Sequence, residues 1–188
     1  GARFISNIST GKTAAKVAEV FINNGWDVTF LSSKDSKNPN GKCKKKKFST
    51  FNDLDKEIKS LIGNRKFDVF IHSAAVSDYT PEKVNEKIKI NSTKKTLTLT
   101  LKKTPKLVNK VLSNSHNKSM KLIAFKFTVN LNMDQKNKKI EKLFKDSNAD
   151  IVIQNDILDR KGDKQTGYNI YNEKGKISEA MDAHSLGN

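Results

Sequence analysis

The stretch Arg3-Phe4-Ile5-Ser6-Asn7-Ile8-Ser9-Thr10-Gly11-Lys12 constrains this chain most, because it is a polar loop that runs straight into a helix. Ala14, Ala15, Val17, Ala18, Phe21 and Ile22 recur at helical spacing and give that helix one apolar face. Ser9 or Thr10 stands where a side-chain oxygen caps the first turn. Gly25 stands where a residue of positive φ closes the last. Val28-Thr29-Phe30-Leu31 then reads as a short buried strand. Small, hydroxyl-rich residues ahead of a helix leave N–H groups pointing outward, where the helix dipole favours an anion. The expectation is a phosphate- or carboxylate-binding loop at the edge of an α/β sheet.

Two look-alike motifs fail on physical grounds. Gly11-Lys12-Thr13 matches the end of a P-loop, but that motif needs a glycine five residues before Gly11, and Ser6 stands there. Tyr79-Thr80-Pro81-Glu82-Lys83 has the Tyr-x-x-x-Lys spacing of short-chain dehydrogenases, which needs a helix to bring the lysine one turn from the tyrosine. Pro81 disfavours helical geometry at Thr80 and removes a donor.

At 188 residues the chain is large enough for one domain with a real core. It has no apolar run of membrane-spanning length and no signal peptide. Cys43 is the only cysteine, so no intramolecular disulfide forms, a structural zinc site is not expected, and a cytoplasmic setting fits. A net charge of +16 raises the question of nucleic acid, yet the basic residues are nearly all lysine, with only Arg3, Arg65 and Arg160 as arginines. Arginine is the better bidentate reader of phosphate and guanine. Outside Lys44–Lys47 the lysines are spread along the chain and aromatics are sparse, which reads as solvated faces. A positive field still gathers small polyanionic substrates.

Along the chain, helical and strand patterns alternate. Lys34 to Lys47 reads as a polar, mobile loop around Pro39, Asn40 and Gly41. Asn52-Asp53 caps a helix to about Ile62 that buries Leu54, Ile58, Leu61 and Ile62. Phe67–His72 is a buried strand running into Ser73-Ala74-Ala75-Val76-Ser77-Asp78-Tyr79, small residues at a carboxyl end where ligands sit in open α/β sheets. Alanines there let a ligand approach the backbone, and Asp78 offers a carboxylate. His72, with no acid beside it in the sequence, reads as a strand-end residue rather than a base. Thr96 to Leu101 alternates strictly and predicts a half-buried antiparallel strand, in a hairpin suited to pairing two subunits. A helix is expected from Thr104-Pro105 through Leu112, a strand at Leu122–Phe125 and a helix from Met133 to Lys145. A strand at Asp150–Ile153, ending on Gln154-Asn155-Asp156, and a last hairpin around Gly175 complete a single α/β sandwich.

Five motifs in register now carry a resemblance. Arg-Phe-Ile-x-Asn-x-Ser-Thr-Gly-Lys, Ala-Ala-Val-x-Asp-Tyr, Leu-x-Leu-Lys-Lys-Thr-Pro, Phe-Lys and Ala-Asp-x-Val-x-x-Asn-Asp follow one another from Arg3 to Asp156. The chain resembles the phosphopantothenoylcysteine synthetase (phosphopantothenate–cysteine ligase) family, in its stand-alone form. The resemblance implies a three-layer Rossmann-like, mostly parallel sheet with an antiparallel hairpin extension used for dimerisation. It implies one domain over residues 1–188, with a hairpin or flap at about 83–103. The family's first strand and its Gly-rich loop would lie upstream of Gly1. The implied reaction activates the carboxylate of 4′-phosphopantothenate with CTP or ATP and magnesium, then joins it to L-cysteine, in a cytoplasmic homodimer that binds neither nucleic acid nor membrane.

Position by position, the resemblance implies that Asn7 holds the pantothenate carboxylate and the acyl-nucleotidylate. Ala74 and Ala75 would give backbone contacts to phosphopantothenate, Asp78 would bind its pantoyl part, and Arg3 would reach its phosphate across the dimer interface. Ser9, Gly11, Phe125, Lys142 and Asn155 would contact the nucleotide, and Lys87 would sit on a flap closing over the phosphates. Ala14 stands where some relatives carry a second glycine, and no metal ligand is identified. The readings from other classes are a basic nucleic-acid-binding module without catalysis and a Rossmann-type oxidoreductase.

Overall fold

The computed structural model describes residues 9–82, 95–96, 98–162 and 164–188. Its centre is a five-stranded sheet built from β3 (Val69–His72), β6 (Lys121–Thr128), β7 (Ile151–Asp156), β10 (Tyr168–Asn172) and β11 (Gly175–Ala180), in the order β11-β10-β7-β6-β3. β3, β6 and β7 run parallel, while β10 and β11 form an antiparallel margin. Three two-stranded ladders complete the described strands. β1 (Thr29–Ser33) pairs in parallel with β2 (Lys44–Phe48), and β4 (Tyr79–Pro81) pairs antiparallel with β5 (Leu101–Lys103). β8 (Arg160–Lys161) pairs with β9 (Lys164–Gln165). The mostly parallel α/β architecture matches the expectation.

Helices cover both faces. On one, α2 (Phe51–Asn64), the short α3 (Val111–Asn114) and α4 (Met133–Ser147) bury Leu54, Ile58, Ile62, Val111, Ile140 and Phe144 against Leu122, Ala124 and Val152. Leu122, Ala124 and Val152 are fully buried, so the central parallel pair is dry on this side. On the other face, Phe125, Ile123, Ile151 and Ile153 meet Tyr168, Ala180 and Leu186. There α5 (Ala183–Gly187) lies against α1 (Lys12–Asn23) so closely that a Cβ on Gly187 would come within 2.7 Å of Val20 Cβ.

Several local expectations need correction. α2 starts one residue before Asn52, with Thr50 as its N-cap. The Thr50 hydroxyl accepts from the Asp53 N–H, and the Asp53 carboxylate accepts in return from the Thr50 N–H. The expected mobile loop at 34–47 contains β2, a strand of four lysines and Phe48. No apolar alternation announces it, because β2 is an edge strand whose lysines stay in solvent and take partners. Lys46 pairs with Glu57, and Lys47 Nζ donates to Ser32 Oγ and Asn38 Oδ1. The strand expected at Thr96–Leu101 is shorter and later, at Leu101–Lys103, and Leu97 lies outside the described residues. The helix expected after Pro105 is a 3₁₀ turn, Leu107–Lys110, followed by one turn of α-helix.

β1 and β3 do not pair with each other. Between them lies a cleft of about 1430 Å³, floored by Leu54, Ile58 and Ile62 of α2 and roofed by Ala14, Val17 and Ala18 of α1.

Candidate functional site

The same cleft runs up to the carboxyl ends of the parallel strands. There it is lined by Ser9 and Gly11 ahead of α1, by Ala74 and Ala75 after β3, and by Phe125 of β6. Loops at these ends hold the backbone N–H and C=O groups that the strands leave unpaired, which is why ligands bind there.

Gly11, with no side chain of its own, is the N-cap of α1 at φ 68°, and the expected capping is reduced to one long contact, Thr10 Oγ1 accepting from the Lys12 N–H at 3.4 Å. A Cβ on Gly11 would come within 2.8 Å of Ser36 Cβ, so glycine is required twice over, for the φ and for the space. The Thr10 carbonyl accepts from the Lys37 N–H at 2.9 Å, tying this loop to the segment after β1.

One hydrogen bond joins α1 to the sheet face that carries Phe125. Thr13 Oγ1 and the Tyr168 hydroxyl are 2.9 Å apart, and burial pushes the Tyr168 phenol above its ordinary value against the opposing pull of Thr13. Tyr168 meets Phe125 edge to face, with ring centroids 6.5 Å apart. The register pairs Phe125 with Ile153 and Phe127 with Asn155, so Phe125 and Asn155 share one face, two steps apart. Ser9, Gly11, Phe125 and Asn155 therefore converge on one side of the sheet end.

Asn155 is held by its neighbours. Asp156, almost fully buried, accepts from Thr128 Oγ1 at 2.6 Å and from the Leu158 N–H at 3.1 Å, and pairs with Lys136 of α4 at 2.9 Å. Burial pulls its carboxyl upward, but these donors together hold it below the ordinary carboxylate value. Gln154 Nε2 donates to Thr128 Oγ1 at 2.7 Å, and Asn169 Nδ2 donates to Gln154 Oε1 at 2.8 Å. Sequence reading missed this network, whose one signal is the run of polar residues ending an otherwise apolar strand.

The loop after β3 is clamped from β5's exit. Thr104, itself buried, donates its hydroxyl to the Ser77 carbonyl at 2.5 Å and its N–H to the Asp78 carbonyl at 2.9 Å. Asp78 pairs with Lys106, and Ala74 and Ala75 remain exposed. Lys142 is not brought to the site, since it stands on the solvent face of α4 in an i,i+4 pair with Asp146. Lys136 and Lys139, one to two turns earlier, lie nearer the sheet end. Arg3, Asn7 and Lys87 lie outside the described residues.

His72 closes β3 with Nε2 buried and no hydrogen-bond partner among the described residues. Burial pulls its pKa down to about 4, so the imidazole is neutral and not a proton carrier near neutrality.

An open, mostly parallel sheet covered by helices, with a crevice at its strand ends, makes the molecule an α/β domain of the doubly wound kind. Its family follows from comparison: the chain belongs to the DNA/pantothenate metabolism flavoprotein C-terminal domain family, which matches residues 1–185. It is 29% identical over 155 residues, 82% of the chain, to the coenzyme A biosynthesis bifunctional protein CoaBC of Methanocaldococcus jannaschii. The chain spans only 36% of that relative's length. A crystal structure of the DNA/pantothenate metabolism flavoprotein from Streptococcus pneumoniae superposes with a TM-score of 0.88 at 25% identity, covering 100% of this chain and 88% of that one. A Cab2 mutant in complex with phosphopantothenate-cysteine shares the fold, with a TM-score of 0.71 at 21% identity over 95% of this chain and 73% of its own.

The buried histidine generates a pH prediction. The unfolded chain takes up a proton near pH 6.5 while folded His72 resists until about 4, so stability should fall as pH drops through that window, by at most about 3 kcal/mol. Denaturant midpoints at a series of pH values check this. His72→Leu should flatten the acid arm, and an unchanged slope in that variant would show that another group is responsible.

Proposed function

We propose that the chain joins 4′-phosphopantothenate to L-cysteine as a phosphopantothenate–cysteine ligase of coenzyme A biosynthesis. The observation that carries this reading is the single crevice that gathers Ser9, Gly11, Ala74, Ala75 and Phe125, with Asp78 and Asn155 beside it. The family membership and the relatives' names support the same chemistry.

A carboxylate is a poor electrophile until one of its oxygens can leave. In the proposed first step, a carboxylate oxygen of 4′-phosphopantothenate attacks the α-phosphorus of CTP or ATP and expels pyrophosphate. In the second, the cysteine amine attacks the acyl carbon, loses a proton and expels the nucleoside monophosphate. The residues here are suited to orientation and charge neutralisation rather than to covalent catalysis. The backbone at Ala74 and Ala75 and the Asp78 carboxylate would hold the pantoyl arm, while the Gly11 loop, Phe125 and Asn155 would hold the nucleotide. Asn7 would orient the acid, Lys87 would cover the phosphates, and Arg3 would reach the substrate phosphate of a second subunit. Magnesium would arrive with the nucleotide substrate and screen the charge of its triphosphate.

Tyr79, Leu99 and Leu101 are about half exposed around the β4–β5 ladder, an apolar face that supports homodimer formation there. Among the described residues the edges of β1 and β3 that face each other across the apolar cleft are unpaired, which supports a further strand lying between them. No helix among the described residues is long and apolar enough to cross a membrane, and the cytoplasm is the proposed setting.

Incubated with 4′-phosphopantothenate, cysteine, magnesium and each nucleotide in turn, the full-length protein should release pyrophosphate with one of them. Asn7→Ala should leave the acyl-nucleotidylate unformed or poorly consumed, and unchanged turnover would remove Asn7 from the mechanism. Leu101→Asp should halve the mass seen by light scattering, whereas a monomeric parent protein would reject the hairpin dimer. In the full-length protein, slot-facing amides of Val69–His72 and Thr29–Ser33 should be protected from hydrogen exchange, and loop-like exchange at both edges would sink the inserted strand.

A further inference from the structure

A half-buried lysine without a carboxylate stands toward the carboxyl end of the central strand, next in sequence to Phe125 of the crevice. Lys126 lies on the central strand β6, and its register partner is Gln154 of β7. Alternation along the strand puts it on the face of Ala124 and Thr128, toward α4, opposite to Phe125. Lys136 of α4 reaches Asp156 beside Thr128, and Ile140 packs into the core with Ala124. Lys139 stands between those two levels of the helix, and its charge reaches Lys126. Lys106 follows the Thr104 clamp on the Ser77–Asp78 loop, and its charge reaches Lys126 as well.

Lysine is seldom buried without a partner, because the ammonium loses hydration. Lys136 follows that rule, being sunk against Asp156. Lys126 does not, as no described carboxylate pairs with it, and Asp78, the one acidic group that attracts it, is engaged by Lys106. Burial, followed by the charges of Lys106 and Lys139, holds the Lys126 ammonium below its ordinary lysine value, with Asp78 opposing. Three ammonium groups against one carboxylate leave a local surplus that a doubly or triply charged anion would neutralise.

We propose that Lys126, with Lys106 and Lys139, is a phosphate seat at the sheet end next to the crevice, taking either the polyphosphate of the nucleotide or the phosphate monoester of the acid. The seat deepens the ligase reading and takes its choice of ligands from it. Lysines act here as point charges, which suits a phosphate that must leave as pyrophosphate or move with its substrate.

Isothermal titration of the purified full-length protein with inorganic pyrophosphate tests the seat directly. Lys126→Gln should weaken pyrophosphate binding by about tenfold or more, Lys126→Arg should retain most of it, and Lys145→Gln on the exposed end of α4 should match the parent. Thermal melts of each variant separate lost binding from lost folding. Steady-state kinetics then divide the two sources. A raised KM for the nucleotide alone assigns the polyphosphate, a raised KM for 4′-phosphopantothenate alone assigns the monoester, and either supports the seat. Unchanged pyrophosphate affinity and unchanged KM values in a folded Lys126→Gln protein that still turns over would overturn the seat and leave the ligase reading intact. Lost pyrophosphate binding in that variant, with no turnover by the parent on any nucleotide, would keep the seat and remove the ligase.

Discussion

The parallel pairing of β6 with β3 and β7 is the constraint on which the rest of the molecule depends. Leu122, Ala124 and Val152 are fully buried where α2, α3 and α4 cover this ladder, so its register cannot slip without turning apolar side chains toward solvent. Fixing that register fixes every strand end at once. Phe125 and Asn155 come to share a face, Lys126 and Thr128 take the other, and His72 ends level with Ala124.

Polar contacts at the sheet end then hold what the core has brought near. Thr13 reaches across to Tyr168, Thr104 clamps the Ser77–Asp78 loop, and the Thr128, Asp156 and Lys136 group secures the strand end that carries Asn155. Each has its hydrogen-bonding partners, which is the condition for a buried polar network to confer rigidity rather than cost stability. Among the described residues two groups depart from that pattern, the unpartnered Nε2 of His72, which lines the crevice, and the unpaired ammonium of Lys126, next in sequence to Phe125 of its lining. Local departures from full satisfaction are expected where a protein meets something other than itself.

The surplus of lysine looks different in three dimensions from its linear distribution. Lys44, Lys46, Lys59 and Lys121 stand in solvent beside Asp27, Glu57, Asp55 and Asp150, so acidic partners meet these lysines locally while the net +16 stays as an excess over the rest of the surface. Pairs of this kind contribute little to stability. Burial and proximity sharpen that excess at the strand ends, around Lys126.

The alternation of helix and strand, the apolar faces of α1, α2 and α4, the closing hairpin and the family's motifs were all legible in the linear pattern. All of these are local periodicities or short-range patterns that backbone geometry and desolvation translate directly. Only the tertiary structure decided that four lysines form an edge strand, that Thr50 and not Asn52 caps α2, and that Gly11 caps α1 without a side chain. It alone separated Lys142, turned to solvent, from Lys139 and Lys126 at the sheet end. Those outcomes depend on which surfaces meet across the sheet, and a linear pattern carries no record of the distance between residues that folding brings together.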